Sequence, residues 1–505
     1  VEKLLEHRDP PQSEAEIDVA CPGCGRSYRM SSRAAGKRGT CKKCGTRFSI
    51  PEPASFAQAP TPPPKQSGLS KQAAQTQQML RLLGDSITFP KQRITIAHRL
   101  AALVVAGLML LLPIVYLAFV VGVGWLTWWH AMNDWFWMKE VYGYARVIAA
   151  ALYGGLILGG ALWTLSLIRP LFLSLGRVEV ASPLSRRDEP ALFAFAEVLA
   201  DKVGCPRPDI ICLNLDVNAS AYYETSFFGL RRRAFTLTLG MPLVAGLTLC
   251  QLAGVMTHEF GHFGQRGSGF LDRFIKRINL WFATAVERPD MLDDFIHSLT
   301  SESNHYLVNT VGLVLMLLVG LGRYFLRCLM YLGLLASASL MRRMEFDADH
   351  YEVGVIGSAE FAASCQRLAA LTIAQELAFQ HAFGSTHCRI LPADLVAFVS
   401  ELADRAPKVK KRTKRMIENE KGSWLASHPP TRERIAAAEH LNLPGAFTAS
   451  VPGCTLFDCF ETRCTAVTTL LYAHRYGRRL TSESIRPAHE AVEIYLDLDA
   501  ANRAW

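Results

Sequence analysis

The chain has 505 residues, half of them hydrophobic and a fifth charged, with a formal net charge of +9. Such a length exceeds one ordinary domain, and the positive mean hydropathy argues for membrane segments and against a wholly water-soluble enzyme. The nine cysteines outside an N-terminal cluster of four are scattered and odd in number, against a disulfide framework.

The first element is Cys21-Pro-Gly-Cys24, followed after 16 residues by Cys41-Lys-Lys-Cys44. Four thiolates in two CxxC knuckles suit a tetrahedral structural zinc, and so small a segment needs such a staple to fold. Arg26–Met30 and Thr46–Ile50 alternate like short strands. Residues 15–50 therefore read as a zinc ribbon. Basic residues around the knuckles permit nucleic acid, but Tyr28 and Phe48 are the only interleaved aromatics, so nucleic acid is not expected as a partner. Residues 51–90, rich in Pro and Gln, read as a flexible linker.

Residues 98–172 hold two expected transmembrane helices. Leu100–Leu126 is 27 residues without a charge and Val147–Ile168 is 22, each enough to cross the ~20 residues' worth of hydrocarbon core. Trp128 and Trp129 suit the interface. The long polar stretch before the first span is not that of a cleaved signal peptide. Lys91, Arg93 and Arg99 precede the spans, Arg169, Arg177, Arg186 and Arg187 follow them, and the loop between has little net charge. The positive-inside rule then places the N-terminal region and everything after the second span in the cytoplasm.

From 177 to 440 the pattern changes to that of a mixed domain. Pro190–Val203 has helical periodicity, while Asp209–Leu213 and Phe235–Leu239 read as strands of a small sheet. Asn218–Ala221 reads either as a cleft edge, on which an extended substrate could add as a strand, or as an ordinary loop. Then comes His258-Glu259-Phe260-Gly261-His262, on a helix with apolar residues at Leu249, Leu252, Ala253 and Met256. Histidines four apart lie on one helix face and can reach one metal ion. Glu259 points aside, where it can take a proton from a water at the metal. A catalytic zinc needs a third protein ligand, and Glu345, 83 residues after His262, is the best candidate. Asp349, one turn later, is placed to fix the tautomer of a ligand histidine. Between them, 307–341 is apolar, with Arg323 and Arg327 near its middle. Since ligands flank it, it must cross the membrane twice or not at all; a hairpin, a re-entrant pair and a long interfacial helix all remain open. The basic run from Lys408 to Arg415 reads as a solvated loop or a contact with anionic lipid. Residues 441–505 read as a helical tail.

Three motifs in this order, HEFGH, Glu345-Phe-Asp-Ala-Asp349 and Ser427-His-Pro-Pro-Thr-Arg-Glu-Arg-Ile435, resemble the HtpX-like membrane zinc metalloproteases, a family that includes the CAAX prenyl and Oma-type proteases. Asn218-Ala219 matches that family's short motif ahead of the active-site helix. The resemblance covers roughly 170–440. It implies a mainly α membrane protein with a gluzincin-type metalloprotease domain of helices and a small sheet. It implies one catalytic zinc on His258, His262 and Glu345, in addition to the structural zinc of the ribbon, and Glu259 activating water. His428 would stabilise the oxyanion with Arg434 in support, and the substrates would be membrane-associated proteins or peptides. The rival reading is a proteolytically inactive zinc-binding adaptor that recruits partners through its ribbon.

Overall fold

The structure, a computed structural model, describes residues 16–20, 27–31, 38–40, 44, 47–49, 96–172, 182–226, 231–264, 269–287, 298, 306–383, 390–420, 422, 428–476 and 484–504. The chain divides into two compact units, one of 1–75 with 465–481 and one of 76–464 with 482–505. In the first, β1 (Glu16–Ala20) pairs antiparallel with β2 (Ser27–Ser31), and β3 (Arg38–Thr40) with β4 (Arg47–Ser49). Cys21, Cys24 and Cys41 of the expected ribbon lie outside the described residues, as does the 51–90 linker; Cys44 sits in an exposed turn.

The second unit is mostly helical. Its first two helices are α1 (Ile96–Asn133) and α2 (Tyr144–Ile168). A four-stranded sheet follows, in the order β5 (Ser182–Leu184), β6 (Ile210–Asn214), β8 (Arg231–Gly240), β7 (Ala219–Ser226). β6 and β8 run parallel and β7 is antiparallel to β8, which leaves β7 at the edge. Interspersed is α3, whose bounds Pro190–Val203 are those expected; Leu192, Phe195 and Leu199 recur at helical spacing on its buried face, and Gly204 ends it in the left-handed conformation.

After the sheet come α4 (Met241–Gly246), α5 (Leu249–Gly264) with the HEFGH motif, and α6 (Gly269–Glu287). Then α7 runs without a break from Tyr306 to Ile356. The hairpin and re-entrant alternatives for 307–341 are thereby corrected: one continuous helix carries the apolar stretch and Glu345 together. The physical reason is an absence of breakers, since the run holds no proline and no two of its glycines are adjacent. Ile275, Ile278 and Phe282 of α6 form one apolar cluster with Met109 and Tyr116 of α1, Leu167 of α2, and Leu326, Leu329 and Met344 of α7. Three helices are long and apolar enough to cross a membrane, α1, α2 and α7. They mark a membrane protein.

Beyond α7 lie α8 (Ser358–Phe383), α9 (Leu395–Arg405), α10 (Pro407–Asn419) and α11 (Thr431–Leu441). The basic run is helix α10 rather than a loop. Of its cations, Lys408 reaches Asp499 at 3.5 Å and Arg412 reaches Glu376 at 4.0 Å.

The stretch after α11 has a structural task that its sequence does not announce. Leu249 and Cys250, at the start of α5, donate their backbone N–H groups to the carbonyls of Val451 and Ala449. These are the donors a helix start leaves unsatisfied. The same strap reaches the end of α7, where Ala446 and Phe447 donate to the carbonyl of Val355. At the crossing, Gly357 (φ 84°) and Gly445 (φ 81°) meet backbone to backbone, and a Cβ on Gly445 would lie 2.6 Å from the Ile356 carbonyl carbon. The strap thus ties the start of one motif-bearing helix to the end of the other.

Candidate metal centre

Helix α5 is buried along almost its whole length, so its polar residues must find partners inside the protein. It crosses α7 at close range because the contact is made by small residues. A Cβ on Gly261 would lie 3.3 Å from the Cα of Ala348. Gly261 of HEFGH and Ala348 of EFDAD therefore face one another, which brings the polar residues of both motifs into register.

The result is a tight group. Nε2 of His258 lies 3.6 Å from Oε2 of Glu345, and Nε2 of His262 lies 3.6 Å from Oε1 of the same carboxylate. Ligands of a tetrahedral zinc, with bonds of ~2.0–2.1 Å, stand about 3.3 Å apart. Two imidazole nitrogens and one carboxylate, all within 4.8 Å of one another, therefore fit zinc in both spacing and donor chemistry. Glu345 is 2% exposed, a position tolerable for a carboxylate only beside cations or strong donors.

The electrostatics point the same way. Burial disfavours a charge on His258, yet Asp349 and Glu345 outweigh it and raise its pKa to about 10. A pocket that draws a proton so strongly also draws a metal cation. His262 is pushed well below its ordinary value, first by burial and then by Lys276 and His258, which keeps its ring neutral and its lone pair free. Burial raises Glu259, against the pull of His258 and Lys276; a raised carboxylate is a better base.

Around this group the other expected residues take definite places. Asp349 Oδ1 lies 3.0 Å from Nδ1 of His258. Arg434, on α11, grips Asp349 with both arms, Nε to Oδ2 at 2.8 Å and Nη2 to Oδ1 at 2.5 Å, and its guanidinium stands over the ring of Phe361. His428 lies at the mouth, 69% exposed, with Nδ1 2.9 Å from Oε2 of Glu345. Asn218 immediately precedes edge strand β7, and Ala219 is its first residue. Two residues on, the backbone N–H of Ala221 donates to Oε2 of Glu259 at 3.3 Å. Gln375 of α8 steadies the approach to β7, accepting from the N–H of Val217 at 3.2 Å and donating to the carbonyl of Leu215. Glu352, Gln375 and the strap escape a reading by motif. Only the spacing of Glu352, three residues after Asp349 on the stripe that begins at Glu345, signals it in the sequence.

A helix carrying HExxH, crossed by a second helix that brings a buried glutamate to both histidines, defines the class of metallopeptidases. The chain belongs to peptidase family M48, whose family model matches residues 187–442. It is therefore a metallopeptidase of a family that uses zinc and acts on peptides or proteins. A comparison with curated proteins and one with solved structures each returned no significant match.

Proposed function

We propose that the protein is an integral-membrane zinc endopeptidase whose active site is the crossing of α5 and α7, with membrane-associated proteins as substrates. The observation that carries this is the pair of Nε2 atoms at 3.6 Å from one buried carboxylate, with Glu259 on the same helix. His258, His262 and Glu345 hold the metal. When bound, zinc supplies Lewis acidity, polarising a scissile carbonyl and lowering the pKa of a water towards ~7. Glu259 takes the proton of the attacking water and passes it to the leaving amine. The N–H of Ala221 orients that carboxylate. Strand β7 is the last in the order of its sheet, so an extended substrate adding there as a further strand would bring a peptide bond to Glu259. His428, exposed at the mouth, is free to turn from Glu345 towards the oxyanion, where a donor stabilises developing charge.

The charge distribution around α1 and α2 supports a cytoplasmic active site on an inner, cytoplasmic membrane, with removal of damaged membrane proteins as the role the family resemblance suggests. The four N-terminal cysteines would hold a second, structural zinc.

The deciding experiment compares membrane proteomes of cells carrying wild type or Glu259→Gln. Fragments produced only by wild type, with zinc content equal in both, support the peptidase. An unchanged cellular role for Glu259→Gln would favour the adaptor.

A further inference from the structure

One buried carboxylate beside the site has no part in the chemistry above. Glu352 lies seven residues after Glu345 on α7, so Glu345, Asp349 and Glu352 share one helix face. It is 4% exposed. Its Oε2 lies 3.6 Å from Nδ1 of His258, the ring nitrogen turned away from the metal position. The opposing helix leaves room for it. Gly254 stands one turn before His258 on α5, and a Cβ there would lie 3.1 Å from Oε1 of Glu352 and 2.7 Å from Cδ1 of Ile356.

Asp349 approaches the same Nδ1 more closely, at 3.0 Å, but both its oxygens also accept from Arg434. Nδ1 is buried and closes no well-aligned hydrogen bond with either carboxylate. The ring nitrogen thus lies between two acceptors, one of them committed to a guanidinium. Among the described residues Glu352 has no ion-pair partner other than His258, although burying a carboxylate works against folding.

We propose that Glu352 is a positioning residue: with Asp349 it forms a two-carboxylate cradle on Nδ1 of His258 that fixes the ring's tautomer and orientation, and through them the site's affinity for zinc. Outer partners of metal-bound histidines act in this way. The proposal rests on the reading that His258, His262 and Glu345 hold zinc.

The test uses the full chain in detergent, stripped of metal and retitrated with zinc against a chelating dye. Glu352→Met, close in volume, should bind zinc about 10–100-fold more weakly, while its metal-free form melts at or above the wild-type temperature because a buried carboxylate has gone. Glu352→Gln, which keeps an acceptor oxygen, should recover part of the loss. Gly254→Ala, whose added Cβ would press on Ile356 and on Oε1 of Glu352, should weaken zinc in the same direction. Binding by Glu352→Met within threefold of wild type overturns the cradle, as does a lower melting temperature of its metal-free form that accounts for the lost affinity. No zinc uptake by wild type would overturn the metal reading and the cradle together, whereas zinc uptake indifferent to Glu352→Met overturns the cradle alone.

Discussion

The two halves of α7 are built for opposite solvents although they are one helix. In the first half Leu313, Val314, Leu317 and Leu321 are exposed, and the apolar surface points outward. In the second half Glu345, Asp349 and Glu352 point inward and are buried. A helix in water hides its apolar residues and shows its charges; one in lipid can show apolar residues on every side. The inversion of that pattern between Leu321 and Glu345 therefore locates a change of surroundings along a single rigid rod. It also explains why the carboxylates are tolerated, since α5 and α11 bring histidines and a guanidinium to meet them.

The strongest way to break this contrast is to remove the carboxylate that defines the inward half. Glu345→Ala should abolish stoichiometric zinc and reduce peptidase activity at least about a thousandfold, read by metal analysis and turnover of an unfolded protein substrate. Arg434→Met comes next. It strips Asp349 of both guanidinium donors and leaves its buried charge facing only Nδ1 of His258, at about 3–5 kcal/mol of stability, seen as a lower melting temperature in detergent. In the outward half, Leu317→Lys should lower membrane insertion by roughly 2.5–3.5 kcal/mol if that position lies at mid-bilayer, measured as the fraction of chain resisting carbonate extraction. Zinc affinity of the protein that does insert should be unchanged. Leu317→Ile, which keeps the apolar surface, should change neither property by more than about 0.5 kcal/mol. A large effect of that last variant would mean that the outward face packs against protein rather than lipid.

Much of the metal site is legible in the sequence because its parts are local. Four-residue spacing puts His258 and His262 on one helix face whatever surrounds them, and the same spacing relates Glu345 to Asp349. Strands at Asp209–Leu213 and Phe235–Leu239 and the helix at Pro190–Val203 announce themselves by periodicity and by Gly and Pro breakers, and all three have counterparts in β6, β8 and α3. The 307–341 stretch misleads, because arginines in mid-run resemble a hairpin tip, whereas nothing in the backbone chemistry there stops a helix. The strap was equally hidden, since backbone hydrogen bonds to the carbonyls of Val451, Ala449 and Val355 leave no side-chain signature.

The HEFGH motif thus needed only sequence to set two imidazoles on one helix face with a carboxylate beside them, because a helix dictates which of its residues are neighbours. That Glu345 meets both imidazoles, that Ala221 donates to Glu259, and that Glu352 occupies the space beside Gly254 were decided by the crossing of two helices whose motifs lie 83 residues apart, from His262 to Glu345. A helix has no way to encode locally which other helix will lie across it. That choice belongs to side-chain size at Gly261 and Ala348, and to a strap that ties the two helices together from outside the stretch matched by the family.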